Sequence, residues 1–161
     1  MDLGHWLTDF RVLHEKARNR ALGIPEERDY KERRRELVRA MLVAQDLARQ
    51  PGQSRRQTLR VARALQVDLE GRGRKDRLTT YDISLGGFCV PMTEAPTPDE
   101  ALTATIRLPG GDPLVLPVTV VGMRAQAGSM RISFSFDKLG VAAAERLEIA
   151  IIDMVLLQLG M

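Results

Sequence analysis

Arg55-Arg56-Gln57-Thr58-Leu59-Arg60 opens, and Asp82-Ile83-Ser84-Leu85-Gly86-Gly87 closes, the stretch whose reading decides the fold. Between them lie the alternating run Val61-Ala62-Arg63-Ala64-Leu65-Gln66-Val67-Asp68-Leu69, a Gly71-Arg72-Gly73 turn and a second run from Arg77 to Ile83. Apolar side chains at 61, 65, 67 and 69 place one face of a strand inward, and the glycine-rich turn suits a hairpin. Such a hairpin folds the arginines back beside the aspartate, serine and glycines of the closing turn.

The two ends carry complementary chemistry. Arginine offers planar, bidentate donors to phosphate oxygens or to the O6/N7 edge of guanine, and it stacks on bases. Aspartate accepts, so it suits the N1–H and amino donors of a guanine's Watson–Crick edge. A serine hydroxyl and the N–H groups around two glycines complete the shell of an oxygen-rich ligand. Several cationic forks, one acceptor and a flexible turn together point to a small anionic guanine nucleotide.

Arg56-x-x-x-Arg60, followed 22 positions after its second arginine by Asp82-x-Ser84-x-x-Gly87, resembles the PilZ domain, a bacterial receptor for cyclic di-GMP. Each half alone is common, but the two in this order, on either side of a hairpin and ahead of more strands, are fairly specific. Gly86 and Phe88 are similar to the family's usual continuation after the serine. The resemblance covers about residues 53 to 152 and leaves the first fifty outside it. It implies a ligand set of Arg55, Arg56, Arg60, Asp82, Ser84, Gly86 and Gly87. Within that set, Arg56 and Arg60 grip phosphates and guanine faces. Arg55 resembles the position that in some members holds a second, intercalated nucleotide, so one or two molecules are implied. Asp82 and Ser84 read a guanine edge, and Gly87 keeps the turn open for close backbone approach. By analogy with arginine–guanine pairs in DNA, each good bidentate contact contributes ~1–3 kcal/mol. Tyr81 and Leu85 read as neutral choices that neither add nor remove a contact.

After Gly87 the pattern is a run of short strands. Phe88 to Val90 is one, and Pro91 to Asp99, with three prolines, is a loop. Leu102, Ala104, Ile106 and Leu108 alternate cleanly, as do Leu114, Leu116, Val118 and Val120, and Met130, Ile132, Phe134 and Phe136. Turns at Pro109-Gly110-Gly111-Asp112-Pro113 and Ala127-Gly128-Ser129 join them. Six strands with tight turns and no intervening helix predict a small antiparallel barrel over 61–137, the architecture that the PilZ resemblance also implies.

Helices flank this all-β core. Trp6, Phe10, Leu13, Ala17 and Ala21 form one stripe, and Leu22-Gly23-Ile24-Pro25 ends that helix. Pro25-Glu26-Glu27 opens a second, carried on by Tyr30, Leu37, Met41, Ala44 and Ala48, with Arg34 where the seam wants an apolar residue. Residues 1–50 therefore read as an antiparallel helical hairpin, packed on the barrel or on another copy of itself. Gln50-Pro51-Gly52-Gln53-Ser54 stops the helix, so 51–60 is linker plus arginine turn. A ligand gripped there would order the linker and shift the orientation of the hairpin. The last helix, within 138–161, is amphipathic in its first half and apolar almost all round in its second. A helix apolar on every side must be buried on every side, which predicts a contact with the hairpin, a second protomer or an effector.

Composition limits the function. The 161 residues are 44% hydrophobic, enough for one domain with a core plus an appendage. Residues 1–60 hold 14 Lys/Arg against 9 Asp/Glu, and 61–161 hold 10 against 12. Basic character thus belongs to the N-terminal part and the arginine turn, which suits a small ligand better than a long nucleic acid. An RNA-binding barrel would also want a stacking platform, and aromatic residues are only 4%. One cysteine, Cys89, allows neither a disulfide framework nor a thiolate zinc site and reads as a buried, inert thiol. His5 and His14 lie nine apart without further ligands and read as surface or capping residues. Ser84 has no histidine partner within a motif, and although Asp76 and Asp82 could pair as acid and base, nothing else points to a reaction. The apolar stretch 149–161, broken by Asp153 and Gln158, is short of the ~20 residues of a membrane span. The N-terminus lacks the basic and then apolar run of a signal peptide, so cytoplasmic residence is expected. The resulting expectation is a non-enzymatic cyclic di-GMP receptor without cofactor or metal, acting on a partner or on its own oligomeric arrangement. Its rival is an adaptor of the same fold that docks to motility or secretion machinery without nucleotide.

Overall fold

The computed structural model describes residues 2–52 and 57–160. It divides into two compact units, Met1–Leu59 and Arg60–Met161.

In the first unit α1 (Leu3–Arg18) and α2 (Ile24–Leu47) form the helical hairpin predicted from periodicity. Asp2 caps α1 by accepting from the Gly4 N–H (3.4 Å). The turn is fixed by Glu26, which accepts from Lys16 Nζ (2.6 Å) and from the Gly23 N–H (3.3 Å). Those two donors, Lys16 first, hold the Glu26 carboxyl below the usual carboxylate range. Between the helices Phe10 stacks on Tyr30 at 5.6 Å, and His14 Nδ1 lies 3.0 Å from the Tyr30 hydroxyl oxygen. His14 is thus buried rather than a surface or capping residue, because it follows Phe10 by four positions and shares its face. Arg34 is buried as well, its guanidinium 5.2 Å over the Tyr30 ring, so the interruption in the apolar seam is filled by a cation–π contact. Ala44 and Ala48 are exposed despite their seam positions. Since α2 has 24 residues and α1 only 16, its last two turns run about 12 Å past the partner helix.

The second unit is a curled antiparallel sheet of seven strands: β1 (Gln66–Gly71), β2 (Arg74–Thr79), β3 (Asp82–Ile83), β4 (Gly87–Met92), β5 (Leu102–Ile106), β6 (Leu114–Gln126) and β7 (Ser129–Phe136), followed by α3 (Val141–Gln158). The order across the sheet is β2-β1-β5-β6-β7-β4-β3. Its two outermost strands, β2 and β3, are joined by Thr80 and Tyr81 alone, so the sheet has to curl until its edges meet.

The sequence predicted six strands, and the seventh arises where one run was read for two. The run Arg77–Ile83 splits at Thr80, because β2 pairs with β1 while β3 pairs with β4. Thr80 also explains why the predicted strand from Val61 begins only at Gln66. Its buried hydroxyl donates to Arg63 O (2.6 Å) and accepts from Leu65 N (2.9 Å), which ties up backbone groups that a ladder would use. Val61 keeps an isolated bridge to Ile83. In β5, in β6 up to Val120 and in the middle of β7 the alternation holds. Leu102, Ala104, Ile106, Leu114, Leu116, Val118, Ile132 and Phe134 are all buried. α3 buries Leu147, Ile151, Ile152, Met154, Val155 and Leu156, positions that span more than half of its circumference, and exposes Leu157, as does the chain at Leu159 just beyond it. Gln158 Nε2 donates to Ala62 O (2.9 Å), and Arg146 donates to Asp112 O.

Asp68 on β1 is clamped by Arg77 of β2 (3.1 Å) and by Arg107, the residue just after β5 (3.3 Å). The hydrogen bond from Arg77, opposed by partial desolvation, keeps its carboxyl below the usual range. A depressed carboxylate stabilises the fold fully above the unfolded-state pKa, and this contribution disappears as pH falls through the lowered native value. Acid unfolding monitored by circular dichroism is therefore expected to lose part of its steepness below pH ~4 in Asp68→Asn. Superimposable wild-type and variant curves would show that Asp68 does not contribute to acid sensitivity.

Candidate functional site

Cross-strand pairing places the second half of the sequence motif on the outer face of the sheet. Asp82 lies opposite Cys89, Cys89 opposite Ser133, and Ser133 opposite Gly122. Their chain neighbours Ile83, Phe88 and Ile132 are buried, so this row is turned away from the core. The neighbouring rows are Gly87 with Ser135 and Thr119, and Pro91 with Arg131 and Arg124. Small residues thus make a shallow floor, with charged side chains at its borders.

Asp82, only 8% exposed, is the pivot of this surface. Its Oδ2 accepts from Arg131 Nη2 at 3.1 Å, and Arg60 Nε stands 3.8 Å from its Oδ1. The Arg131 guanidinium lies 4.7 Å over the Tyr81 ring, and the Tyr81 hydroxyl accepts from Gln126 Nε2 (2.7 Å), which also lies 2.9 Å from Ser129 Oγ. Ser84 Oγ accepts from the Gly86 N–H (3.1 Å), while the Ser84 N–H donates to Gly87 O (2.8 Å), closing a tight loop before β4. The Gly86 carbonyl accepts from Phe136 N (3.0 Å).

The structure therefore brings Arg60, Asp82, Ser84, Gly86 and Gly87 to one end of the β3–β4 corner. Arg55 and Arg56 lie outside the described residues. Gly87 has a reason to be glycine within the fold itself: an added Cβ would stand 1.8 Å from the Phe134 carbonyl oxygen on β7. The close backbone approach at Gly87 is made by β7. Tyr81, read from the sequence as neutral, carries Arg131. Arg131 itself was missed because, in Met130-Arg131-Ile132-Ser133, an arginine at an outward position looks like any solvated strand residue. Cys89 is buried, with Ser133 Oγ 3.7 Å from its sulfur. Among the described residues no group of histidine, cysteine and carboxylate side chains could hold a metal ion. No helix among them is long and apolar enough to cross a membrane.

A β-bulge between Val120 and Gly122 sets which side chains of β6 join this surface. The extra residue shifts the alternation, so that Gly122, Arg124 and Gln126 face outward beside Ser133, Arg131 and Ser129. Without it, Arg124 would stand opposite Met130.

Residues 54–153, more than half of the chain, match the PilZ domain family. The chain belongs to the PilZ domain family. Among curated proteins no sequence matches it. Solved structures of similar fold include the Bacillus subtilis inhibitor of motility MotI/DgrA, at TM-score 0.56 and 20% identity over 67% of this chain and 53% of that one. The PilZ domain of YcgR from Escherichia coli with c-di-GMP aligns at TM-score 0.52 and 16% identity, over 63% of this chain and 92% of that one. The MrkH–c-di-GMP complex from K. pneumonia aligns at TM-score 0.56 and 20% identity, over 66% and 55%. The PilZ chain thus spans about half the length of MotI/DgrA and of MrkH.

Proposed function

We propose that this PilZ protein is a non-enzymatic receptor for cyclic di-GMP. The observation that carries the reading is the nearly buried Asp82 carboxylate held between Arg60 and Arg131 beside the Ser84 loop. Such an acceptor, flanked by two guanidinium groups, matches the donor edge of guanine next to a phosphate. YcgR and MrkH, of the same fold, have c-di-GMP complexes. In this reading Arg56 and Arg60 grip phosphate and base, Asp82 and Ser84 read the guanine edge, and Arg55 recruits a second nucleotide.

The boundary between the two units falls at Leu59–Arg60, inside the Arg56–Arg60 motif. In this reading ligand binding acts on an effector or a second copy through the helical hairpin. The exposed Val43 and Leu47 on α2, Leu157 on α3 and Leu159 just after it are candidate contacts. Cytoplasmic residence goes with the reading, since cyclic di-GMP is an internal messenger.

Calorimetric titration of cyclic di-GMP into the full chain and into Arg56→Ala, with GTP and cyclic GMP as controls, is the test. Selective binding is expected, weakened by one to two orders of magnitude in Arg56→Ala, about 1–3 kcal/mol. A stoichiometry near two would assign the second nucleotide to Arg55. No heat and no thermal shift at high ligand concentration would reject the receptor and move function to the helices as an adaptor.

A further inference from the structure

We infer that Arg131, backed by the Tyr81 ring, is a base-stacking residue of this site that belongs to neither half of the sequence motif. The inference rests on the cyclic di-GMP reading and adds a specificity determinant to it. A guanidinium plane has two faces. In Arg131 one of them lies over Tyr81 at 4.7 Å, and 32% of the side chain remains exposed. Tyr81 is itself held at both ends. Its N–H donates to Cys89 O (2.8 Å), and its hydroxyl accepts from Gln126 Nε2 (2.7 Å). The edge of the guanidinium is aimed by Asp82 through the 3.1 Å contact with Nη2. Long arginine side chains ordinarily lose rotamer freedom on binding, and this one is already held by two partners, Tyr81 and Asp82, before a ligand arrives.

Its surroundings fit a purine. The row beside it is made of Cys89, Ser133 and Gly122, short residues that put no bulky side chain next to the guanidinium. Arg124, directly opposite Arg131 in the pairing of β6 with β7, adds a second positive charge that favours a phosphate nearby. Asp82 stands between Arg60 and Arg131. A guanine whose N1–H and amino group engage that carboxylate therefore comes within reach of the open guanidinium face. The products of this geometry are a Tyr81–Arg131–guanine stack and a bias against bases that cannot donate to Asp82.

Lysine keeps the charge of arginine and can still pair with Asp82, but it has no plane to stack. Arg131→Lys and Tyr81→Leu separate stacking from charge. Titration of cyclic di-GMP into the full chain is expected to show about tenfold weaker binding for Arg131→Lys and roughly threefold to tenfold for Tyr81→Leu, with salt dependence unchanged. The Arg131 Nε–H signal in nuclear magnetic resonance spectra of the unaltered chain is expected to shift on saturation with cyclic di-GMP, as the ring current of a stacked base demands. Arg131→Lys that binds within twofold of the unaltered chain, or an Nε–H signal that stays in place on saturation, overturns the inference while leaving the receptor intact. Absence of any binding by the unaltered chain overturns the receptor reading and this inference together.

Discussion

Gly87→Ala is expected to destabilise the second unit by about 4 kcal/mol or more, visible as a large fall in thermal midpoint or as loss of soluble protein. The added methyl would sit 1.8 Å from Phe134 O, 2.9 Å from Phe134 C and 3.0 Å from Ser135 Cα, all of them backbone atoms. A side chain can rotate out of such an overlap, but a strand cannot. Relief requires β4 and β7 to part, and that pairing runs over six residue pairs from Gly87–Ser135 to Met92–Met130. The variant therefore disturbs Phe88 against Phe134, rings 5.2 Å apart in the middle of the core. Alanine is otherwise the mildest change available, and Gly87 has no positive φ that would reserve it for glycine. An alanine variant with unchanged thermal midpoint would mean that β4 and β7 separate at little cost. A Gly87 variant that fails to bind nucleotide reports on the sheet, and says nothing about contact between Gly87 and the ligand.

Much of this architecture is legible in the sequence because the core obeys simple alternation. Leu102 to Leu108, Leu114 to Val120 and Met130 to Phe136 each read as strands, and their inward positions are buried except for Met130 and Phe136 at the ends of the last run. Family membership was legible too, since two common half-motifs at fixed spacing pointed to the domain that matches residues 54–153. What escaped is of another kind. Thr80 ends one strand through hydrogen bonds of its own hydroxyl to Arg63 and Leu65, which are 17 and 15 positions away. Periodicity has no term for such a plug. The bulge at Val121 moves Arg124 and Gln126 from one face to the other with a single residue, and a valine there looks like any strand residue. His14 and Arg34 were read by chemical type as surface or misplaced groups. Tyr30 supplies both with a partner, across the hairpin at 3.0 Å for His14 and one turn earlier on the same helix at 5.2 Å for Arg34. Arg131 escaped for the same reason: its significance comes from Tyr81 and Asp82, 49 positions or more away along the chain.

Asp82→Ala is expected to weaken cyclic di-GMP binding by about one to two orders of magnitude while moving the thermal midpoint by only a few degrees. The two effects diverge because the carboxylate and its partners stand in different environments. Asp82 is nearly buried, but the side chains of Arg60 and Arg131 are 42% and 32% exposed and regain water when their acceptor is removed. Ion pairs with partners so exposed contribute about 0–1 kcal/mol to stability. Binding loses more, since the alanine site offers guanine no acceptor and leaves both arginines without the group that aims them. A double-mutant cycle with Arg60→Ala separates these contributions. If Asp82 acts partly by orienting Arg60, the double variant should lose less than the sum of the single variants, by roughly 1 kcal/mol or more. Strict additivity would mean that the 3.8 Å approach of Arg60 to Asp82 has no role in binding, and that each residue meets the ligand independently. Unchanged affinity in Asp82→Ala would remove the acceptor from the site altogether. In that case the guanine edge would have to be read by Ser84 and the backbone of its loop.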